Sequence, residues 1–203
     1  MSYIPLVVDI SQKQVVVIGG GKIAERRINV LKTYTKQIQI ISPTLTNSLE
    51  HLVDKQVIQW RNKTFESSDV QDADLIIAAT NDKAVNQSIL QAKPDKALIN
   101  MAGQALAGDV FIPSILRRGK LMISVSTQGA SPKLTSQILA ELQQHFNSAY
   151  GDYVDFLYEC RQQVKRSSLS PEEKERFLKQ ILNEKYLDIS KQNEVRKWLS
   201  TLE

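Results

Sequence analysis

Apolar and polar positions along this chain follow two periods, and the switches between them mark its elements. Lys13–Ile18 ends in an unbroken β-branched run, Val15-Val16-Val17-Ile18, which predicts the first strand. Ala24–Tyr34 changes to helical spacing, with Ile28, Leu31 and Tyr34 on one face. Gln37–Ser42 predicts a second strand, stopped by Pro43. Leu45–Asp54 reads as a helix and Val57–Trp60 as a strand. Ala73–Thr80, Asp82–Ala92 and Ala97–Met101 continue as strand, helix and strand. Ile4–Val8 is a short apolar run, read as an edge strand or a lead-in. Strands alternating with helices predict an α/β fold, a Rossmann-like doubly wound parallel sheet over residues 1–113.

Beyond Pro113 the periodicity changes. Ser114–Arg118 reads as a helical turn, and Leu121–Ser126 alternates apolar and polar residues like a half-exposed strand. Thr127-Gln128-Gly129-Ala130-Ser131-Pro132 has turn chemistry and leads into a helix from Lys133 to about Phe146. Residues 147–203 carry no strand pattern, and Ser170-Pro171-Glu172-Glu173 is a helix start with a serine cap, proline in the first turn and two acids behind it. The expected division is therefore 1–113, a small mixed region over 114–146, and a helical region over 147–203.

The chemistry is densest where the first strand meets the first helix. Gly19-Gly20-Gly21-Lys22-Ile23-Ala24 directs backbone N–H groups and a helix amino terminus at one point, the arrangement that receives a pyrophosphate. Gly19 makes the turn, Gly21 leaves room for phosphate, and Ala24 takes the place of the third glycine where helix packs on strand. In open α/β sheets ligands lie at the carboxyl ends of strands. After the second strand stand Pro43 and Thr44, positioned to pack on ribose and adenine or simply to end the strand. No Asp or Glu for a ribose and no Arg or Lys for a 2′-phosphate stands there, which favours NAD mildly over NADP. After the next strand Ala78-Ala79-Thr80-Asn81-Asp82 offers small residues and a hydroxyl, with Asn81 or Asp82 also suited to cap the following helix.

Composition narrows the partners. The net charge of +4 fits a nucleotide as well as any other anion, and the chain lacks a basic block or aromatic-interleaved basic stretch, so no nucleic-acid partner is expected. Cys160 is the single cysteine, which rules out an internal disulfide or a cysteine metal cluster; it reads as an unreactive thiol. Of the two histidines, His51 sits in a polar helix and reads as a surface group, and His145 ends a helix whose carboxyl terminus it complements, so no metal site is expected. Tyr150, Tyr153, Phe156 and Tyr158 read as packing residues. No segment has the length of a membrane span, and Met1-Ser2-Tyr3-Ile4-Pro5 lacks the charged start and apolar core of a leader, so a cytoplasmic protein is expected.

Five motifs in fixed order carry a resemblance: Gly19 to Arg27, Ile76-Ile77-Ala78-Ala79-Thr80-Asn81, Phe111-Ile112-Pro113-Ser114, Arg118-Gly119, and Ser126 to Pro132. Together they resemble the precorrin-2 dehydrogenase family of siroheme (porphyrin-type tetrapyrrole) synthesis, and the matches run from residue 1 to about 146. The chain resembles the stand-alone form, without a methyltransferase region. The resemblance implies oxidation of precorrin-2 to sirohydrochlorin by NAD. It implies a homodimer in which residues 114–146 cross to the partner, and cofactor contacts at Gly21, Lys22, Ile23, Pro43, Thr44 and Thr80. Gly19, Gly20 and Asn81 complete the expected cofactor set.

One departure from the family stands out. Gly103 occupies the position of an Asp that is proposed in the family as general base or metal contact. Asp109 is the nearest acid and the expected substitute, unless the proton leaves to water. The substrate is polycarboxylate, so the Ser126–Pro132 loop ahead of a helix is its expected receptor. Ser124, Ser126, Thr127, Gly129, Ser131, Arg118 and Lys133 are the candidate contacts, with Ser124 and Ser126 on one strand face that looks to substrate or core. Two alternatives remain: an NAD-sensing regulatory module without catalysis, and a bifunctional dehydrogenase and ferrochelatase.

Overall fold

The computed structural model describes residues 3–103 and 107–201 and divides into two compact units, Met1–Ile112 and Pro113–Glu203. The first holds five parallel strands, β1 (Val15–Ile18), β2 (Ile38–Ile41), β3 (Gln59–Arg61), β4 (Leu75–Ala78) and β5 (Leu98–Met101), in the order β3-β2-β1-β4-β5. Chain order reverses between β1 and β4, so the crevice at their carboxyl ends is the topological switch point of a doubly wound sheet. Val17 pairs with Ile40 on one side and Ile77 on the other.

The unbroken apolar run of β1 is explained by its two covers. Val15 and Val17 face a layer with Ala24, Ile28, Leu31 and Leu49 from helices α1 (Lys22–Leu31) and α2 (Asn47–Asp54). Val16 and Ile18 face the other layer, with Val70 and with Ile89 of α3 (Lys83–Ala92). Full burial of a side chain such as Ile28 contributes about 1.5–3 kcal/mol. Ile4–Val8 forms no strand: Ile4, Leu6, Val7 and Val8 are all largely exposed, so of the two readings the lead-in stands.

In the second unit Ser114–Arg118 corrects the sequence reading. It is strand β6, not a helical turn, and pairs antiparallel with β7 (Leu121–Val125) from Ser114 opposite Val125 to Arg118 opposite Leu121. The reason is the tight turn between them, where Gly119 takes φ +55. That turn closes a hairpin whose pairing outweighs the local helical preference of Leu116-Arg117-Arg118. Helix α4 (Pro132–His145) follows, then α5 (Ala149–Arg166), α6 (Pro171–Gln180) and α7 (Ile189–Leu199). Tyr153, Phe156, Cys160, Val164, Ile181, Tyr186 and Leu199 form the core shared by α5 and the segments after it, which makes Tyr153 and Phe156 the packing residues expected. Ser170 caps α6 reciprocally with Glu173.

Candidate functional site

Each glycine of the first turn answers a different steric demand. Gly19 has φ +108, and a Cβ on it would lie 2.5 Å from the Ala79 carbonyl oxygen. Its N–H donates to Ile41 O at 2.9 Å, so it sits where β1, β2 and β4 converge. A Cβ on Gly20 would coincide with the Thr44 carbonyl oxygen, because the loop after β2 closes down on this residue. Thr46 N–H donates to Gly20 O at 3.0 Å and holds that loop in place.

Gly21 is different. It is the N-cap of α1, caps it with no side-chain hydrogen bond, and a Cβ on it would meet nothing within 4 Å. The first turn of α1 thus has no side-chain cap and has open space at Gly21, the environment a pyrophosphate fits. A dinucleotide suits the residues present: glycines permit its approach and the helix terminus supplies the donors. Lys22 and Ile23 stand exposed beside it, with Lys22 Nζ 3.2 Å from Glu25.

Pro43 and Thr44 are exposed on the loop after β2, beside Gly20. Thr80 follows Ala79 at the end of β4, and its hydroxyl accepts from Asp82 N–H at 2.8 Å. Asp82, not Asn81, caps α3 by accepting from Ala84 and Val85, so of the two capping candidates Asn81 stays exposed. Two buried asparagines that sequence reasoning passed over stabilise neighbouring loops. Asn86 Nδ2 donates to Thr80 O at 3.1 Å, and Asn100 Nδ2 to Val110 O at 2.8 Å. An amide in an apolar pattern was the available signal. Arg27 also reaches Ile112 O, and burial lowers its pKa, with Arg26 adding to the shift.

The Asp109 carboxylate accepts from Ile99 N–H at 3.2 Å and lies 3.3 Å from Lys93 Nζ. Ile99 lies two residues before the end of β5, roughly 7 Å back along a strand that rises about 3.3 Å per residue. A Cβ on Gly103 would meet nothing within 4 Å.

In the second unit, Ser131 caps α4 by accepting from Leu134 N–H, and Thr127 Oγ1 accepts from Ser131 N–H. Ser126 Oγ accepts from Gln128 N–H, and Gln128 and Gly129 take φ of 51 and 89. Ser124 and Ser126 are both exposed, which removes the core alternative for that strand face. Arg118 Nε donates to Phe146 O at 3.0 Å, tying β6 to the end of α4, while Lys133 is exposed. His51 and His145 are exposed, and among the described residues no cluster of His, Cys, Asp or Glu is placed to hold a metal. No helix among the described residues is long and apolar enough to cross a membrane. Cys160 is fully buried and its thiol is pushed up to about 12 by desolvation.

Sheet order, glycine turn and open helix terminus define an α/β dinucleotide-binding protein of the Rossmann type. The family model described as NAD(P)-binding matches residues 6–114, and that of the SirC C-terminal domain matches residues 150–195. Precorrin-2 dehydrogenase of Priestia megaterium is 34% identical over 190 residues, covering 93% of this chain and 94% of that one. The Bacillus subtilis precorrin-2 dehydrogenase is 34% identical over 158 residues, 78% of this chain and 98% of that one. Siroheme synthase 1 of Klebsiella pneumoniae matches 93% of this chain at 32% identity, over 40% of its own length. The solved structure of SirC, a precorrin-2 dehydrogenase, superposes with a TM-score of 0.84 at 31% identity, covering 98% of this chain and all of that one. The chain belongs to the precorrin-2 dehydrogenase family.

Proposed function

We propose that this chain oxidises precorrin-2 to sirohydrochlorin with NAD, as an oxidoreductase of siroheme biosynthesis. The observation that carries the reading is the uncapped amino terminus of α1 under Gly21, at the switch point of the sheet, in a chain of this family. The nicotinamide, when bound, supplies the hydride acceptor. The chain's own work is placement. Gly19, Gly20, Gly21, Lys22 and Ile23 receive the pyrophosphate, Pro43 and Thr44 line the adenosine side, and Thr80 and Asn81 border the nicotinamide side. Precorrin-2 loses one hydride to the cofactor and one proton. Gly103 has no group to accept the proton; Asp109, whose carboxylate also meets Ile99 N–H and Lys93 Nζ, is the acceptor the chain offers, and water is the other.

The substrate's carboxylates are received at Ser124, Ser126, Thr127, Gly129, Ser131, Arg118 and Lys133. Support comes from the exposure of Ser124, Ser126, Gly129 and Lys133 on β7, the loop that follows it and the first turn of α4. The working form is a homodimer built through residues 114–146. Leu134, Ile138 and Leu142 follow one another at i+4 on α4 without any of them being fully buried, as a face covered by a second copy requires. The reading carries a cytoplasmic location, where nicotinamide cofactor is shared with other dehydrogenases.

The test is an anaerobic assay with NAD and enzymatically generated precorrin-2, following NADH and the sirohydrochlorin spectrum together. Stoichiometric appearance of both is expected. Tight NAD binding without turnover would sink the reading in favour of a nucleotide sensor.

A further inference from the structure

Residues 37–49 carry no charged side chain, so the loop after β2 has no acid or base of its own where adenosine ribose lies in this fold. The structure supplies one from elsewhere. Glu25, on the first turns of α1, is directed at this loop: its Oε2 accepts from Thr46 Oγ1 at 2.7 Å. Thr46 is the N-cap of α2, and the Glu25 side chain is 16% exposed. Lys22 Nζ pairs with the same oxygen at 3.2 Å, on a side chain that is 79% exposed, so solvent screens that pair more than it screens Glu25. Glu50, also in the first turn of α2, adds a second acid at this end. The amino terminus of α2 is the helix dipole closest to the ribose loop and would ordinarily welcome an anion. Here Thr46 caps it, and the Glu25 carboxylate stands behind that cap.

We propose that Glu25 is the residue that selects NAD over NADP: held on Thr46 at the amino end of α2, it sets a fixed negative charge beside the loop that a 2′-phosphate would approach. This rests on the nicotinamide-dependent reading above. The same carboxylate positions the loop, since Thr46 also donates its N–H to Gly20 O. The arrangement does for this chain what an acid at the end of the second strand does in other NAD sites, but from a different helix.

The experiment is fluorescence or calorimetric titration of the full chain with NAD and with NADP, at low and high salt, on wild type, Glu25→Gln, Glu25→Asp and Thr46→Ser. Wild type should bind NAD more tightly, and salt should bring the two affinities closer, because screening relieves repulsion. Glu25→Gln keeps an acceptor for Thr46 and removes the charge, so the ratio Kd(NADP)/Kd(NAD) should fall by roughly tenfold and lose its salt dependence. Glu25→Asp and Thr46→Ser should retain most of the ratio. A ratio in Glu25→Gln equal to that of wild type overturns the proposal. So does a wild-type ratio near one, or one that grows with salt, results that need no variant to fold and leave nicotinamide binding intact. Wild type that binds neither nucleotide overturns the functional reading itself.

Discussion

Gly19 and Ala79 approach so closely that the space of a single methyl group on Gly19 is already taken by the Ala79 backbone. Gly21, two residues on, has open space in the same position. The contrast separates folding from binding. Gly19→Ala should destabilise the first unit by about 1–3 kcal/mol through its positive φ, with the clash added, and lower the melting temperature. Gly21→Ala should melt like wild type yet bind NAD at least several-fold more weakly, since its methyl would stand where phosphate sits. Calorimetry and NAD titration on both variants check this, and equal effects on stability would contradict it.

Asp109 bonds the loop after β5 to the strand through Ile99 and Lys93. The ion pair is partly exposed and worth little alone, but Asp109→Ala also strips the Ile99 N–H of its side-chain partner. A stability loss of about 1 kcal/mol is expected. Turnover, corrected for unfolded protein, should stay within a few-fold of wild type if the proton leaves to water. A thousand-fold fall in kcat without loss of stability would instead make Asp109 the base. Gly103→Asp should fold normally, having room for its Cβ, and restores a carboxylate at the family position.

Cys160 should be silent to thiol reagents at neutral pH. Burial in the helical core raises its pKa to about 12, so almost no thiolate exists while the protein is folded. A disulfide-exchange reagent should label one thiol per chain only after urea unfolding. Rapid labelling of native protein would show that the core formed by α5, α6 and α7 opens readily.

Asp74 ties the start of β4 to the start of β1, accepting from Gln14 N–H at 3.0 Å and Lys13 Nζ at 3.1 Å. The Gln14 N–H, and next the Lys13 ammonium, hold its pKa below the usual carboxylate value. Its folded pKa is depressed, so the stability it contributes is present above the unfolded value of about 3.9 and is lost as pH falls through the lower folded value. Asp74→Asn should therefore lower the melting temperature at pH 7, and the difference should shrink as the pH falls below the ordinary carboxylate range. A penalty that does not change with pH would count against this assignment.

Local sequence carried the first unit far. Val15 to Ala24 encodes strand, turn and helix in consecutive residues, because β-branched runs, glycine torsions and helical spacing are all properties of neighbours. The cap at Ser170 is legible for the same reason, and the cap of α3 is narrowed to the neighbours Asn81 and Asp82. What the sequence left open depended on partners distant along the chain. Ser114–Arg118 became a strand only because Leu121–Val125 folds back on it. Asp109 is the nearest acid in the sequence, and only the fold shows what its carboxylate meets, Ile99 and Lys93, ten and sixteen residues earlier. Glu25 and Thr46 are twenty-one residues apart, and only the packing of α1 beside α2 brings the missing acid to the ribose loop. Propensity and torsional freedom are local and can be read in order; hydrogen bonds and charge pairs between elements exist only once the sheet order has set which elements are neighbours.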